Sequence, residues 1–347
     1  MTELAGTDWI APGSLEAWRR HLGEEVDPDP LRTELALGSL PRAFHETAAR
    51  RPEGSALAID GASITHGELD RLASRVGGWL QARGVGAQER VVLCGANSLD
   101  FLTAYLGILR AGAVVVPAGT ALAEPELRHL AEDSGAACAL AQGEALERLS
   151  AIARGDGSLR FVVALGEEEA PDAPSLQRAI SEGEPLQPAG VGEDEVALLA
   201  YTLGTTGRPK GVPLTHANLL SSIRAAMRAW RWDEHVALVH ALPFTHQHGL
   251  GGVHATLLAG SRAVVHGKFD SGRLCAAIES ERATVLFAVP AIYERLAAWE
   301  GIEGADFSSL RLAVSGSAAL SPALAGKISS RCSAGRSSSV TGARRAG

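Results

Sequence analysis

The sequence predicts an α/β fold of doubly wound, mostly parallel sheets, and three observations carry that expectation. From about Leu40 to Val314, short apolar runs alternate with amphipathic stretches, strand then helix at short spacing. The run Val196-Ala197-Leu198-Leu199-Ala200 is apolar throughout and reads as a buried strand. With 46% hydrophobic and 21% charged residues, a chain of 347 residues has material for a sizeable core. That length suits two or three domains, or one large α/β unit with lobes.

Residues 1–38 read as an N-terminal extension, in which Ser14 caps a short helix of Leu15, Trp18 and Leu22 before the Pro-rich EEVDPDP. A helix starts at Leu40, and Ala56 to Ile59 is a strand that turns at Asp60-Gly61. Leu69, Leu72, Val76, Trp79 and Leu80 then recur at helical spacing, which is most simply a core face. Strand Arg90–Cys94, a helix with Phe101, Tyr105 and Ile108, strand Val114–Pro117, helix Glu124–Ser134 and strand Ala137–Ala141 follow. Residues 166–195 are acidic and rich in Pro and Gly, and read as a surface linker between two α/β lobes. Beyond it lie strand Val212–Thr215, a helix with Leu219, Leu220, Ile223, Met227 and Trp230, and strand Ala237–Ala241. The series continues with helix Gly249–Ala259, strand Ala263–His266, helix Ser271–Ser280, strand Thr284–Val289, helix Ala291–Trp299 and strand Leu310–Val314. Residues 327–347 are Ser-, Arg- and Gly-rich, with hardly an apolar residue to bury, and read as disordered.

Bulk properties exclude several classes. A net charge of −8 leaves no basic surplus for non-specific nucleic-acid binding. The N-terminus has early acids and no apolar h-region, so it is no secretory signal. The longest apolar stretch, Tyr105 to Ala123, is broken by Arg110, Gly112, Pro117 and Gly119, too often for a membrane span. Cys94, Cys138, Cys275 and Cys332 are far apart and form no C-x-x-C pair, as expected of reduced thiols in a cytoplasmic protein.

Tyr201 to Gly211 reads YTLGTTGRPKG. Its glycines let backbone N–H groups turn toward an anion, Thr202, Thr205 and Thr206 add hydroxyl donors, and Lys210 adds a mobile charge. Such a loop after a strand suits nucleotide phosphates better than a bare surface hairpin. It is not Walker A, since Lys210 stands between Pro209 and Gly211, nor the dinucleotide pattern G-x-G-x-x-G.

HALPFTHQHGL places His246 and His248 just after a strand end. H-x-H admits half of a metal site, a purely structural pair, or a substrate site in which imidazole holds a carboxylate or acyl phosphate. No carboxylate or third His follows at ligand spacing, so no metal is assigned. SGSAAL, Ser315 to Leu320, is a tight turn that opens toward a helix at Ser321-Pro322. Arg295 in VPAIYERLAAW is either an exposed partner of Glu294 or Glu300, or a carboxylate grip.

YTLGTTGRPKG resembles the signature YTSGTTGxPKG of the adenylate-forming enzymes, which comprise acyl-CoA synthetases, adenylation domains and luciferases. The mismatch is Leu203, where the family usually has serine. The resemblance runs from about Leu40 to Leu324, with residues 39–326 as the large N-terminal domain of that fold. LTHANLLSS, HALPFTHQHGL and LRLAVSGSAALS look most like the malonyl-CoA synthetases and related short-acid ligases. The resemblance implies an acid–thiol ligase that uses ATP, Mg²⁺ and CoA on a small carboxylic acid. It assigns Thr202, Gly204, Thr205, Thr206, Gly207 and Lys210 to the ATP phosphates, and His246 to the junction of acyl pocket and α-phosphate. Gly316, Ser317 and Ala318 are expected to line the acyl pocket and adenine face, where small residues allow close approach, and Ser315 to face the substrate. Arg295 is expected to grip the distal carboxylate of a dicarboxylic acid such as malonate. No acid in HALPFTHQHGL meets a substrate ammonium, which disfavours amino-acid adenylation. The family's YGxTE pattern, its ribose-binding aspartate and the small C-terminal domain with its catalytic lysine have no match, so a truncated or frameshifted tail and impaired turnover are expected. The alternative is a non-catalytic remnant with at most weak nucleotide binding.

Overall fold

The computed structural model describes residues 38–166, 172–202, 209–331 and 339–342. The expected extension and its Ser14-capped helix lie outside them. In chain order the elements are α1 (Leu40–Arg50), β1 (Ser55–Ile59), β2 (Ala62–Thr65), α2 (His66–Ala82), β3 (Arg90–Cys94) and α3 (Leu99–Arg110). Next come β4 (Val114–Ala118), α4 (Glu124–Ser134), β5 (Ala136–Ala141), α5 (Glu144–Asp156), β6 (Val162–Ala164), α6 (Leu176–Glu182), β7 (Val196–Thr202) and β8 (Lys210–Thr215). The remainder is α7 (His216–Ala229), β9 (Ala237–His240), α8 (Gln247–Ala259), β10 (Arg262–Val265), α9 (Ser271–Ser280), β11 (Val285–Ala288), α10 (Pro290–Ala298), β12 (Leu312–Ser315), α11 (Pro322–Ser329) and β13 (Ser339–Gly342).

Two sheets result. One has the order β6-β5-β3-β4-β7-β8 and is parallel except for the β7/β8 hairpin at its edge. The other has the order β13-β12-β11-β9-β10-β1-β2 and is parallel except for the β1/β2 hairpin. Interior strands read as apolar runs because helices cover both faces: Val91 to Cys94 and Val114 to Val116 are at most 2% exposed.

Local chemistry sets the helix ends. Thr65 and Thr215 close capping boxes with Glu68 and Asn218, and Ser98 caps α3 through the Phe101 N–H. Gly107 lets α3 lie directly on α2, since a Cβ there would stand 2.6 Å from Val76 Cβ. Between the sheets, the Tyr105 hydroxyl meets His254 Nε2 at 2.8 Å, and Arg110 pairs with Asp70, which also holds His45.

Two expectations need correction. Within 166–195, Leu176–Glu182 is a helix docked on α2 rather than free linker. Leu176 and Ala179 are buried, Trp79 Nε1 donates to Glu182, Arg75 donates to the Gly183 carbonyl, and Ser74 exchanges two hydrogen bonds with Leu186. Seven residues in acidic, Pro-rich text carry too little periodicity to announce this. In 327–347, α11 runs on to Ser329, and Ser339–Gly342 adds a parallel edge strand to β12 rather than lying disordered. An edge strand is secured by backbone pairing, which a count of apolar side chains does not register. α5 and β6 had no expected counterpart. Ala145, Leu149 and Ile152, all buried, form the face of α5.

Candidate active site

In the seven-stranded sheet the chain passes from β9 to β10 on one side, then crosses back to β11 on the other. Ligands of open α/β sheets settle beyond the C-terminal strand ends at such a reversal. Here those ends carry His240 on β9, His266 after β10, and Ser315 on β12 followed by Gly316.

His246 is the N-cap residue of α8, but its side chain makes no capping bond and is exposed. Among the described residues its ring has no hydrogen-bond or ion-pair partner. It therefore presents its imidazole beside the first N–H groups of a 13-residue helix. His248 turns the other way. Its ring lies 5.3 Å from the Phe287 ring and fills the space a Cβ on Gly316 would need, 2.7 Å from Nδ1. Burial lowers its pKa, and Nδ1 is buried without a partner. Of the two histidines, His248 is the one that packs against the Gly316 turn.

Sequence reasoning passed over His240 and His266. His240 is fully buried, and its Nδ1 accepts the Leu242 N–H at 3.1 Å, which puts the ring proton on Nε2, where it has no partner. Burial, with lesser repulsion from His248 and His266, pushes its pKa down to about 3. His266 has both ring nitrogens buried without a hydrogen bond, and Asp60 lies 3.9 Å from Nδ1. The Ser315 hydroxyl is also buried and unpaired. Orphaned polar atoms are costly in an interior, and His240, His266 and Ser315 gather at the C-terminal strand ends of one sheet. The available signal was a histidine closing an apolar strand run.

Ser317 and Ala318 are exposed beyond Gly316, and Ser317 holds the left-handed backbone angle φ 68°. Ser321 caps α11 through the Leu324 N–H, with Pro322 in the first turn. Arg295 is exposed on α10, its guanidinium 4.5 Å above the Phe269 ring. Neither Glu294 nor Glu300 pairs with it, and among the described residues it has no ion pair.

The phosphate loop has only its stem within the described residues. Gly204, Thr205, Thr206 and Gly207 lie outside them. Thr202 and Lys210 face each other across the β7/β8 hairpin, both exposed, on the edge of the other sheet. Two residues of α4 hold the stem: the Tyr201 hydroxyl donates to Asp133 at 2.6 Å, and His129 Nε2 reaches the Pro209 carbonyl at 3.3 Å. Burial, then the Asp133 carboxylate, raises the Tyr201 phenol pKa. Among the described residues no group of three His, Cys, Asp or Glu side chains could hold a metal ion. Cys94, Cys138 and Cys275 are buried free thiols, pushed by burial up to about 11, 12 and 11. No helix among the described residues is long and apolar enough to cross a membrane.

Comparison with known proteins identifies the family. The family model of the AMP-binding enzymes matches residues 44–338. A feruloyl-CoA synthase from Amycolatopsis is 37% identical over 290 residues, 82% of this chain and 55% of that protein. Apo MatB from Rhodopseudomonas palustris superposes with a TM-score of 0.74 at 30% identity, over 84% of this chain and 57% of that one. The mouse mitochondrial malonate–CoA ligase is 29% identical over 251 residues, 67% of this chain and 41% of that protein. The particular closeness to malonate-activating enzymes is therefore weak, since the feruloyl-CoA synthase is more similar. The chain spans about half the length of the curated relatives it matches. The two mostly parallel sheets are those of the adenylate-forming N-terminal domain. With fold and family match in agreement over most of its length, the chain belongs to the AMP-binding enzyme family.

Proposed function

We propose that the chain carries the acid-activating half of an AMP-forming acyl-CoA ligase. In the first step a carboxylate oxygen attacks the α-phosphorus of ATP, pyrophosphate leaves, and an acyl-AMP forms. In the second, the thiol sulfur of CoA attacks the acyl carbon and displaces AMP. The observation that carries this reading is the cluster of unpaired polar groups at the C-terminal strand ends, with His246 free at the start of α8. Lys210 and Thr202 stand opposite each other on the hairpin stem, and Lys210 has no ion pair among the described residues, which suits them to the outer phosphates. His246 is assigned to the carboxylate and the α-phosphate it meets, and the Ser315–Ala318 turn to acyl chain and adenine. Among the described residues no three-ligand group is present for Mg²⁺.

For the acid, Arg295 favours a short dicarboxylate of the malonate kind, because it is an exposed cation without an acidic partner. Relatives that activate ferulate or benzoate, by their names, support an aryl acid instead. A remnant that only binds nucleotide weakly is the second reading, supported by the Ser-Val-Thr-Gly strand where the family pattern YGxTE is expected. ATP–pyrophosphate exchange on the purified chain decides among them, with malonate, methylmalonate, ferulate and benzoate supplied separately. Exchange with one acid names the class. A folded chain that exchanges with none of them points to the remnant.

A further inference from the structure

We propose that Asn97 is a positioning residue for this site: from the opposite sheet, its side-chain amide fixes the loop on which His246 stands. The inference rests on the ligase reading only for its kinetic consequence. Asn97 lies between β3 and α3, in the six-stranded half, and is 9% exposed. Its Oδ1 accepts the Phe244 N–H at 2.8 Å, and its Nδ2 donates to the Leu242 carbonyl at 2.9 Å and the His266 carbonyl at 3.4 Å.

Those three backbone groups belong to the loop between β9 and α8 and to the end of β10. The loop has left its sheet ladder and not yet entered its helix. Leu242 and Phe244 are nearly fully buried, so without Asn97 their polar groups would be unpaired away from water. Only a primary amide supplies one acceptor and two donors in a single plane. Serine lacks the second donor, and aspartate offers oxygens to two carbonyls.

The amide itself is held. Ser98, the next residue, caps α3 through the Phe101 N–H, and the Phe101 ring lies 5.8 Å from the Phe244 ring. From the loop's own side, His240 Nδ1 accepts the Leu242 N–H. The backbone from Leu242 to Phe244 is thus gripped from both sheets, two residues before His246. A displacement at the β3–α3 turn passes to the His246 imidazole with no side chain of that turn touching it.

The test uses the whole 347-residue chain with ¹³C-labelled histidine. In Asn97→Ala the His246 Cε1–H resonance should move, while Thr65→Ala, which removes the distant cap of α2, should leave it in place. With an acid that supports exchange, Asn97→Ala should lower kcat/KM for the acid by up to about 10²-fold, the rate cost of a misplacement of about 1 Å. The KM for ATP should stay the same. A loss that merely follows the folded fraction, with unchanged KM, would assign Asn97 a structural role only. An unmoved His246 resonance in the folded variant overturns the proposal. A moved resonance without exchange for any acid leaves the positioning intact and sinks the ligase reading. Should the variant not fold, hydrogen exchange at the Phe244 amide of the unaltered chain decides: protection equal to that of β9 is expected, and free exchange refutes it.

Discussion

Substituting Gly316 by alanine tests the packing of His248 against the Gly316 turn. A Cβ at 316 would stand 2.7 Å from Nδ1 and 3.0 Å from Nε2 of His248. Ordinary contact needs about 3.5 Å, so the imidazole must retreat by roughly 1 Å. It has little room to do so, because the Phe287 ring lies on it at 5.3 Å, tilted by 45°. Gly316 has no left-handed backbone angle, so alanine adds crowding without conformational strain. Overpacking of this kind costs about 1–3 kcal/mol, which equilibrium urea unfolding resolves. A double-mutant cycle isolates the contact. Once His248→Ala has removed the ring, Gly316→Ala should cost almost nothing, giving a favourable coupling of about 1–3 kcal/mol. If Gly316→Ala costs as much without His248 as with it, the two residues do not touch as described.

Three further predictions follow from the same structure. Ser317 sits at φ 68°, so a β-branched Ser317→Val should cost about 1–2 kcal/mol, whereas Ser317→Gly should not; thermal unfolding of both reads the difference. Burial holds His240 and His254 near 3 and His216 near 4, below the ordinary 6.5, so the unfolded chain binds more protons between those values. Stability is full above about pH 6.5 and falls as pH drops through that window, by about 1.4 kcal/mol per pH unit for each such histidine. His254→Phe should reduce the slope of unfolding free energy against pH by about one proton, and an unaltered slope would mean that His254 is not neutral by burial. Arg295→Ala should lower discrimination for malonate over acetate by about 10–100-fold in pyrophosphate exchange, the worth of a charge-assisted pair. An unchanged ratio removes the carboxylate grip.

Much of the fold was legible because its strands are short apolar runs bounded by turns. β3 and α4 begin and end where patterning places them, and Ser321-Pro322 starts its helix as expected. What escaped was structure whose cause is remote. α6 is a helix because Ser74, Arg75 and Trp79, about a hundred residues earlier, receive it. β13 exists through pairing with β12. The site divided in the same way. His246 and Gly316 stood out as local motifs, and both lie at strand ends of one sheet. That His248 rather than His246 meets Gly316 depends on how α8 is rotated, which an H-x-H spacing does not state. Asn97 carries no local signal at all: its three partners are at least 145 residues away.

Exposure and charge are unevenly distributed among the site residues. A metal bridging His246 and His248 would need both rings to converge, yet one is exposed before α8 while the other is wedged between Phe287 and Gly316. The interior histidines, His240 and His248, are kept neutral by burial, and His240 presents a fixed N–H donor. Neutral donors of this kind stabilise developing negative charge without having to expel a resting counter-ion. The permanent cations, Lys210 and Arg295, stand at exposed positions instead. On the proposed reading, uncharged hydrogen-bond donors at the strand ends would meet an anionic substrate.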